Sequence, residues 1–191
     1  MTFSAVLLAG GESRRMGRDK ATIVFEDRPL WERQLRILLD FDPEEIFISA
    51  RNSPAWLPHD AKLLLDEPPS RGPLSGLTKA LSSIRTSHLV VLAVDMPFIT
   101  SIQLQRLRES AEPGWGVLPM IGDRAEPLAA IYPREAAAYF STALSGEDFS
   151  LQRLSKSLVQ EGKLQVFKVL PIDAKLYRSV NTPGDLERPD L

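Results

Sequence analysis

At 191 residues, with 43% hydrophobic and 25% charged residues, the chain is long enough to bury its own core without disulfide or metal staples. A formal net charge of -2 gives no basis for broad attraction to nucleic acid or to an anionic membrane. The absence of cysteine excludes disulfides, thiolate catalysis and Cys-ligated zinc, and fits a reducing compartment.

The first apolar run, Phe3 to Ala9, reads as a buried strand. It is too short to span a bilayer and carries no basic leader, so a cytoplasmic protein with no membrane partner is expected. A polar loop follows, Gly10 to Lys20. Ala21 to Arg28 fits a short hairpin turning at Glu26-Asp27-Arg28. Leu30, Gln34, Leu35 and Leu38 then recur at helical spacing, after a proline suited to a first turn. Glu45 to Ala50 and Lys62 to Leu65 read as strands. Pro73 to Arg85 reads as a helix, and His88 to Val94 as a strongly apolar strand. Thr100 or Ser101 can cap a helix that ends before Pro113. Trp115 to Pro119 and Leu128 to Tyr132 read as strands joined by a turn around Gly122-Asp123-Arg124. Helices over 134–144 and 150–160, a strand over 164–170 and a short helix opened by Asn181-Thr182-Pro183 complete the pattern. This alternation predicts an α/β fold: a mainly parallel sheet covered on both faces, in one domain over 1–191. The segment 113–132 is expected to be a substrate-facing insertion.

Three stretches carry chemistry. The first is Leu8-Ala9-Gly10-Gly11-Glu12-Ser13-Arg14-Arg15-Met16-Gly17-Arg18-Asp19-Lys20, directly after a buried strand. Gly10 and Gly11 let the backbone turn and approach a ligand, and their amides can donate to phosphate oxygens. Arg14, Arg15, Arg18 and Lys20 supply cationic charge for a polyanion. The glycine spacing fits neither a Walker A loop nor a dinucleotide fingerprint. A solvated basic loop with turn glycines is the plain alternative. The second stretch, Asp66-Glu67-Pro68-Pro69-Ser70-Arg71-Gly72-Pro73, joins a strand to a helix, and Asp66 can accept the paired N–H groups that guanine presents; an ordinary turn with a helix cap uses the same residues. The third is Asp95-Met96-Pro97 at the end of an apolar strand, where ligands of open α/β sheets gather. An aspartate there is either a turn former or a ligand for Mg²⁺, which takes one or two carboxylates and keeps waters and phosphates for its other positions.

The first string closely resembles the signature of the molybdenum cofactor guanylyltransferases, nucleotidyltransferases of Rossmann-like three-layer α/β/α fold; Asp66 before Gly72-Pro73-Leu74 and Asp95-Met96-Pro97 resemble two further motifs of that family. The second glycine, where many relatives of the wider group carry alanine, leans toward the guanylyl branch. The resemblance implies transfer of GMP from GTP to the terminal phosphate of molybdopterin, with release of pyrophosphate and with Mg²⁺ as cofactor. It implies nucleotide contacts from Leu8, Ala9, Gly10, Gly11, Ser13, Asn52 and Asp66. Lys20 and Arg15 would neutralise phosphate charge, and Asp95 would hold the metal. Acceptor contacts fall to Asn181 and Tyr132. Glu126-Pro127-Leu128 resembles an acceptor-side segment, or is a hairpin strand with a proline exit. Asn181 alternatively caps the last helix. Two positions depart from the pattern: Ser179 stands where the family has asparagine, and Arg51 stands where an asparagine is usual, with Asn52 beside it. Transient contact with cofactor-biosynthesis or acceptor proteins is a further expectation. The rivals are a cytidylyltransferase or sugar-phosphate nucleotidyltransferase of the same fold, and a nucleotide-binding adaptor without turnover. His59 and His88 lack partners at metal-ligand spacing, and Trp31, Trp56 and Trp115 read as packing residues.

Overall fold

The computed structural model describes residues 1–10 and 19–186. In chain order the elements are β1 (Phe3–Leu8), β2 (Val24–Phe25), β3 (Arg28–Pro29), α1 (Leu30–Leu39), β4 (Glu45–Ala50), β5 (Lys62–Leu65), α2 (Pro73–Ser83), β6 (His88–Ala93), α3 (Ser101–Ser110), β7 (Gly116–Ile121), β8 (Arg124–Ala125), β9 (Ala129–Pro133), α4 (Ala137–Ser145), α5 (Leu151–Gln160) and β10 (Leu164–Lys168), with short 3-10 turns between them.

The main sheet has the order β10-β7-β9-β6-β1-β4-β5, with β8 beside β7. β1 pairs in parallel with both β4 and β6, β4 with β5, and β10 with β7. β9 runs antiparallel to β6 and β7. The chain therefore leaves β1 in one direction to β4 and β5 and returns to its other side for β6. That reversal is a topological switch point, where the carboxyl ends of parallel strands open a crevice.

Residues along β1 and β6 are buried on both faces, and this is why they read as unbroken apolar runs. Phe3, Ala5, Leu7, Val90 and Leu92 face one core, which α1 and α3 cover with Leu30, Leu35, Leu38, Leu104 and Leu107. Val6, Leu8, Leu89 and Val91 face a second core under α2, α4 and α5, filled by Leu74, Leu77, Leu81, Phe140 and Leu158. The expected Rossmann-like three layers are present. Thr100 caps α3 by accepting from the amide of Gln103, and Ser150 caps α5 by accepting from that of Arg153.

The segment 113–132 is built into this sheet: β7 and β9 lie between β6 and β10. The two-residue β8, after the turn at Gly122, pairs antiparallel with β7 in the same sheet. β9 is the strand that reverses direction, so its leading residues, 126–128, arrive at the same sheet edge as the ends of β1 and β6. The amide of Ala93 donates to Leu128 O there at 2.9 Å.

Candidate active site

The ends of β1, β4, β5 and β6 and the start of α2 enclose a cleft at the switch point. Leu8, Ala9 and Gly10 form its floor. Ser49 and Asp66 line one side, and Lys20 and Asp95 the other. Of the residues expected to bind nucleotide, the fold brings together Leu8, Ala9, Gly10, Lys20, Asp66 and Asp95. Gly11, Ser13 and Arg15 lie outside the described residues. Asn52 sits in the exposed bend beyond β4 and does not line the cleft.

Lys20 reaches the cleft through local capping. Asp19 accepts from the amide of Ala21 at 3.0 Å and so starts the 3-10 turn Lys20–Thr22. The second Asp19 oxygen accepts from the indole of Trp56 at 3.4 Å, and Trp56 stacks on Trp31 with ring centroids 5.1 Å apart. Lys20 Nζ then donates to Asn181 Oδ1 at 2.9 Å, to Val180 O at 3.2 Å and to Asp95 Oδ2 at 3.3 Å. The side chains of Lys20 and Asp95 keep 16% and 25% of their exposure, so the pair is partly desolvated yet open to a ligand.

Asp95 is held from several directions. The amide of Val94 donates to Leu8 O at 3.0 Å, and that of Val180 to Asp95 O at 2.7 Å. From α1, Arg33 Nε donates to Pro97 O at 2.7 Å, and the buried Gln34 amide donates to Met96 O. α1 thus braces the loop that presents the carboxylate. Among the described residues no cluster of three or more His, Asp or Glu could hold a metal. Asp95, a partly exposed carboxylate lining the cleft, fits the donor chemistry of Mg²⁺, which binds proteins through few carboxylates.

Asp66 is fixed by two hydroxyls, Ser70 at 3.0 Å and Ser49 at 3.5 Å. Its amide donates to Ala50 O. A Cβ on Gly10 would lie 3.5 Å from Asp66 Oδ2, which puts that glycine directly across the cleft floor from the carboxylate. Gly72 precedes α2 with φ of 63°, a left-handed conformation that other residues adopt only under strain. One turn later a Cβ on Gly76 would fall 2.4 Å from Ser49 Oγ, so α2 approaches the strands more closely than any other residue permits. Ser49, Ser70 and Gly76 were not singled out from the sequence. Their signals there are weak: Gly76 is a mid-helix glycine, which hints at close packing, and the two serines carry no pattern.

Two expectations need correction. Tyr132 does not face an acceptor: its side chain is fully buried, its hydroxyl donates to Pro127 O at 2.9 Å, and its ring meets Phe140 edge-on. Burial also pushes its hydroxyl well above the ordinary tyrosine range. Asn181 does not cap the terminal 3-10 turn with its side chain, which is committed to Lys20; Asp185 instead accepts from the amides of Asn181 and Thr182. The two histidines stay clear of the cleft. His88 is buried, with Nε2 donating to Glu112 O and Trp115 O at 3.1 Å, and His59 is exposed beside Asp60.

Comparison with known proteins agrees with this fold. A family described as the MobA-like NTP transferase domain matches residues 5–162. A protein of Opitutus terrae named "probable molybdenum cofactor guanylyltransferase" is 35% identical, covering 97% of this chain and 94% of its own. A protein of the same name from Clostridium perfringens is 32% identical, covering 96% and 94%. Among solved structures, the molybdopterin-guanine dinucleotide biosynthesis protein A of Archaeoglobus fulgidus superposes with a TM-score of 0.75 at 24% identity, covering 97% of this chain and 95% of that one, which shows a shared fold. With the sequence signature, the switch-point cleft and these near full-length matches in agreement, the chain belongs to the MobA-like NTP transferases, in the family of molybdenum cofactor guanylyltransferases.

Proposed function

We propose that the protein is a cytoplasmic, Mg²⁺-dependent guanylyltransferase that transfers GMP from GTP to the terminal phosphate of molybdopterin. The observation that carries this reading is the meeting of Lys20 and Asp95 in the cleft whose far side holds Asp66, with Asn181 accepting a hydrogen bond from Lys20. In this reading Asp66 would recognise the base and the Lys20–Asp95 pair would face the phosphates, from the two sides of one cleft.

In the proposed reaction an oxygen of the molybdopterin phosphate attacks the α-phosphorus of GTP. A P–O bond to the acceptor forms, the bond between the α-phosphorus and the bridging oxygen breaks, and pyrophosphate leaves with that electron pair. The attacking phosphate is largely ionised near neutral pH, so no strong general base is required. The obstacle is electrostatic: two anions must meet, and charge grows on the leaving group. Lys20 sits on the turn after the phosphate loop, where its ammonium would offset that growing charge. Arg15 is proposed for the same task. Asp66 would accept the two N–H groups of the guanine edge, its orientation preset by Ser49 and Ser70. Mg²⁺ bound to Asp95 would supply Lewis-acid neutralisation of phosphate oxygens. Asn181 is proposed as an acceptor-side residue that also steadies Lys20.

The test is pyrophosphate release from GTP with and without molybdopterin, repeated with CTP and ATP. Acceptor-dependent release with GTP alone is expected. Release with CTP in preference would move the protein to the cytidylyl branch, and nucleotide binding without release would make it an adaptor.

A further inference from the structure

Asn181 reaches Lys20 from a part of the chain with little regular structure. After the 3-10 turn Pro171–Tyr177, Arg178 is extended, residues 179 and 180 carry no regular structure, and a second 3-10 turn spans Pro183–Leu186. Backbone of this kind has no ladder to define it, so each side-chain bond to it counts. One carboxylate oxygen, Asp185 Oδ2, accepts from the amides of both Asn181 and Thr182, each at 2.8 Å. Two successive peptide planes converge on one atom, and this sets the direction in which the Asn181 side chain leaves the backbone. Arg178 closes the other end of the turn: it donates to Asp185 O at 2.6 Å, and its guanidinium lies 4.7 Å over the ring of Phe98, in the loop that presents Asp95.

We propose that Asp185, which lies outside the sequence motifs and does not touch Lys20, is a positioning residue: by fixing the Asn181 backbone it holds Lys20 at the working end of the cleft. The consequence for turnover rests on the nucleotidyl-transfer reading above; the consequence for Lys20 does not. Charge-assisted bonds from two amides to one carboxylate are strong enough to define a turn. The same two amides hold the Asp185 carboxyl below its ordinary range, so the arrangement persists at neutral pH.

The experiment compares D185A with D185N, whose amide oxygen can still accept both N–H groups. Purified full-length protein is treated with an amine-reactive reagent and Lys20 modification is followed by mass spectrometry, with Lys62 and Lys79 as internal controls. In D185A, Lys20 should react several-fold faster while the controls stay unchanged. In D185N it should stay near the wild-type rate. In parallel, kcat for GMP transfer should fall about 10-fold or more in D185A with little change in KM for GTP, the pattern of a displaced group rather than a lost binding contact. Wild-type Lys20 reactivity in D185A, or an equal loss in D185N, overturns the proposal. Should D185A fail to fold, R178A loosens the same turn from its other end, and unchanged Lys20 reactivity there overturns it equally. If wild-type protein transfers no GMP, the reaction assignment falls, while the labelling result still decides the role of Asp185.

Discussion

The two sides of the cleft are built by different means. On the base side, so named for the base it is proposed to meet, Ser49, Asp66, Ser70, Gly72 and Gly76 come from neighbouring stretches of chain, and backbone geometry dictates their arrangement. A left-handed Gly72, a helix packed directly against a strand and two serine hydroxyls leave Asp66 little freedom. On the cation side, Lys20 meets Asp95 across 75 residues of sequence and Asn181 across 161. No shared element joins them, and the ends of β1 and β6, α1 and the C-terminal turn must all be in place. The base side is therefore suited to selecting a ligand, and the cation side to responding to charge that changes during a reaction.

Breaking the cation side should give the largest effect. Asp95→Ala is expected to lower kcat by about 10²–10³-fold, and Lys20→Ala by about 10²-fold, as for removal of one preorganised electrostatic contact. Both variants should stay folded, with at most a modest drop in melting temperature from breaking a partly desolvated pair. Steady-state kinetics with GTP and molybdopterin, beside thermal melts, make the measurement. Retained turnover in Asp95→Ala would remove that residue from the mechanism. Unchanged GTP kinetics in Lys20→Ala would do the same for the lysine.

Breaking the base side should instead move KM. Asp66→Asn keeps the shape and an acceptor oxygen but replaces the second acceptor with a donor. A hydrogen bond to a charged group is worth about 1.5–3 kcal/mol, so KM for GTP should rise roughly 10- to 100-fold while kcat changes less. Preference for GTP over CTP should shrink in parallel. A variant that loses kcat with KM intact would mean that the two sides do not divide the work in this way.

This division also explains what the sequence reveals. Strand-helix alternation and the two-sided burial of β1, β4 and β6 are legible because parallel strands leave unbroken apolar runs. The direction of β9 is not legible, since pairing partners leave no local trace. Asp66 and Asp95 stand out because each ends a strand. Asn181 misleads: Asn-Thr-Pro ahead of a helical turn looks like an N-cap, and only the coordinates show that Asp185 supplies the acceptor, freeing Asn181 for Lys20. Tyr132 misleads for a related reason, because strand alternation does not say which face meets solvent when both are covered; its ring packs under α4. The arginines of the first loop, which dominate the sequence argument, lie outside the described residues.

Packing at the base side can be sharpened with Gly76→Ala. The added methyl would crowd Ser49 Oγ at 2.4 Å and Leu8 Cδ2 at 3.2 Å. Overpacking costs typically about 1–3 kcal/mol, and replacing a helical glycine returns about 1 kcal/mol, so a net loss of up to about 2 kcal/mol is expected in denaturant melts. Pairing it with Ser49→Ala removes the worst clash and should restore most of that loss. An additive double mutant would show that the strain lies elsewhere.

The smallest effect lies at the far end of the same sheet, and it isolates global stability from either side of the cleft. His88 begins β6, away from the cleft, and burial holds its imidazole below the ordinary value of 6.5. In the native state, where Nε2 lies 3.1 Å from two backbone carbonyls, burial makes it take up a proton at lower pH than in the unfolded chain. Because the unfolded state binds more protons in that window, its contribution to stability is complete above about pH 6.5 and declines as pH drops below it, with a slope of at most about 1.4 kcal/mol per pH unit for one proton. His88→Gln keeps a donor for those carbonyls and removes the titration. Its stability between pH 7 and pH 5 should be flatter than wild type, while KM for GTP at pH 7 should not move. An identical pH slope in both proteins would place the acid sensitivity elsewhere, and a change in KM would mean that the far end of β6 is mechanically coupled to the cleft.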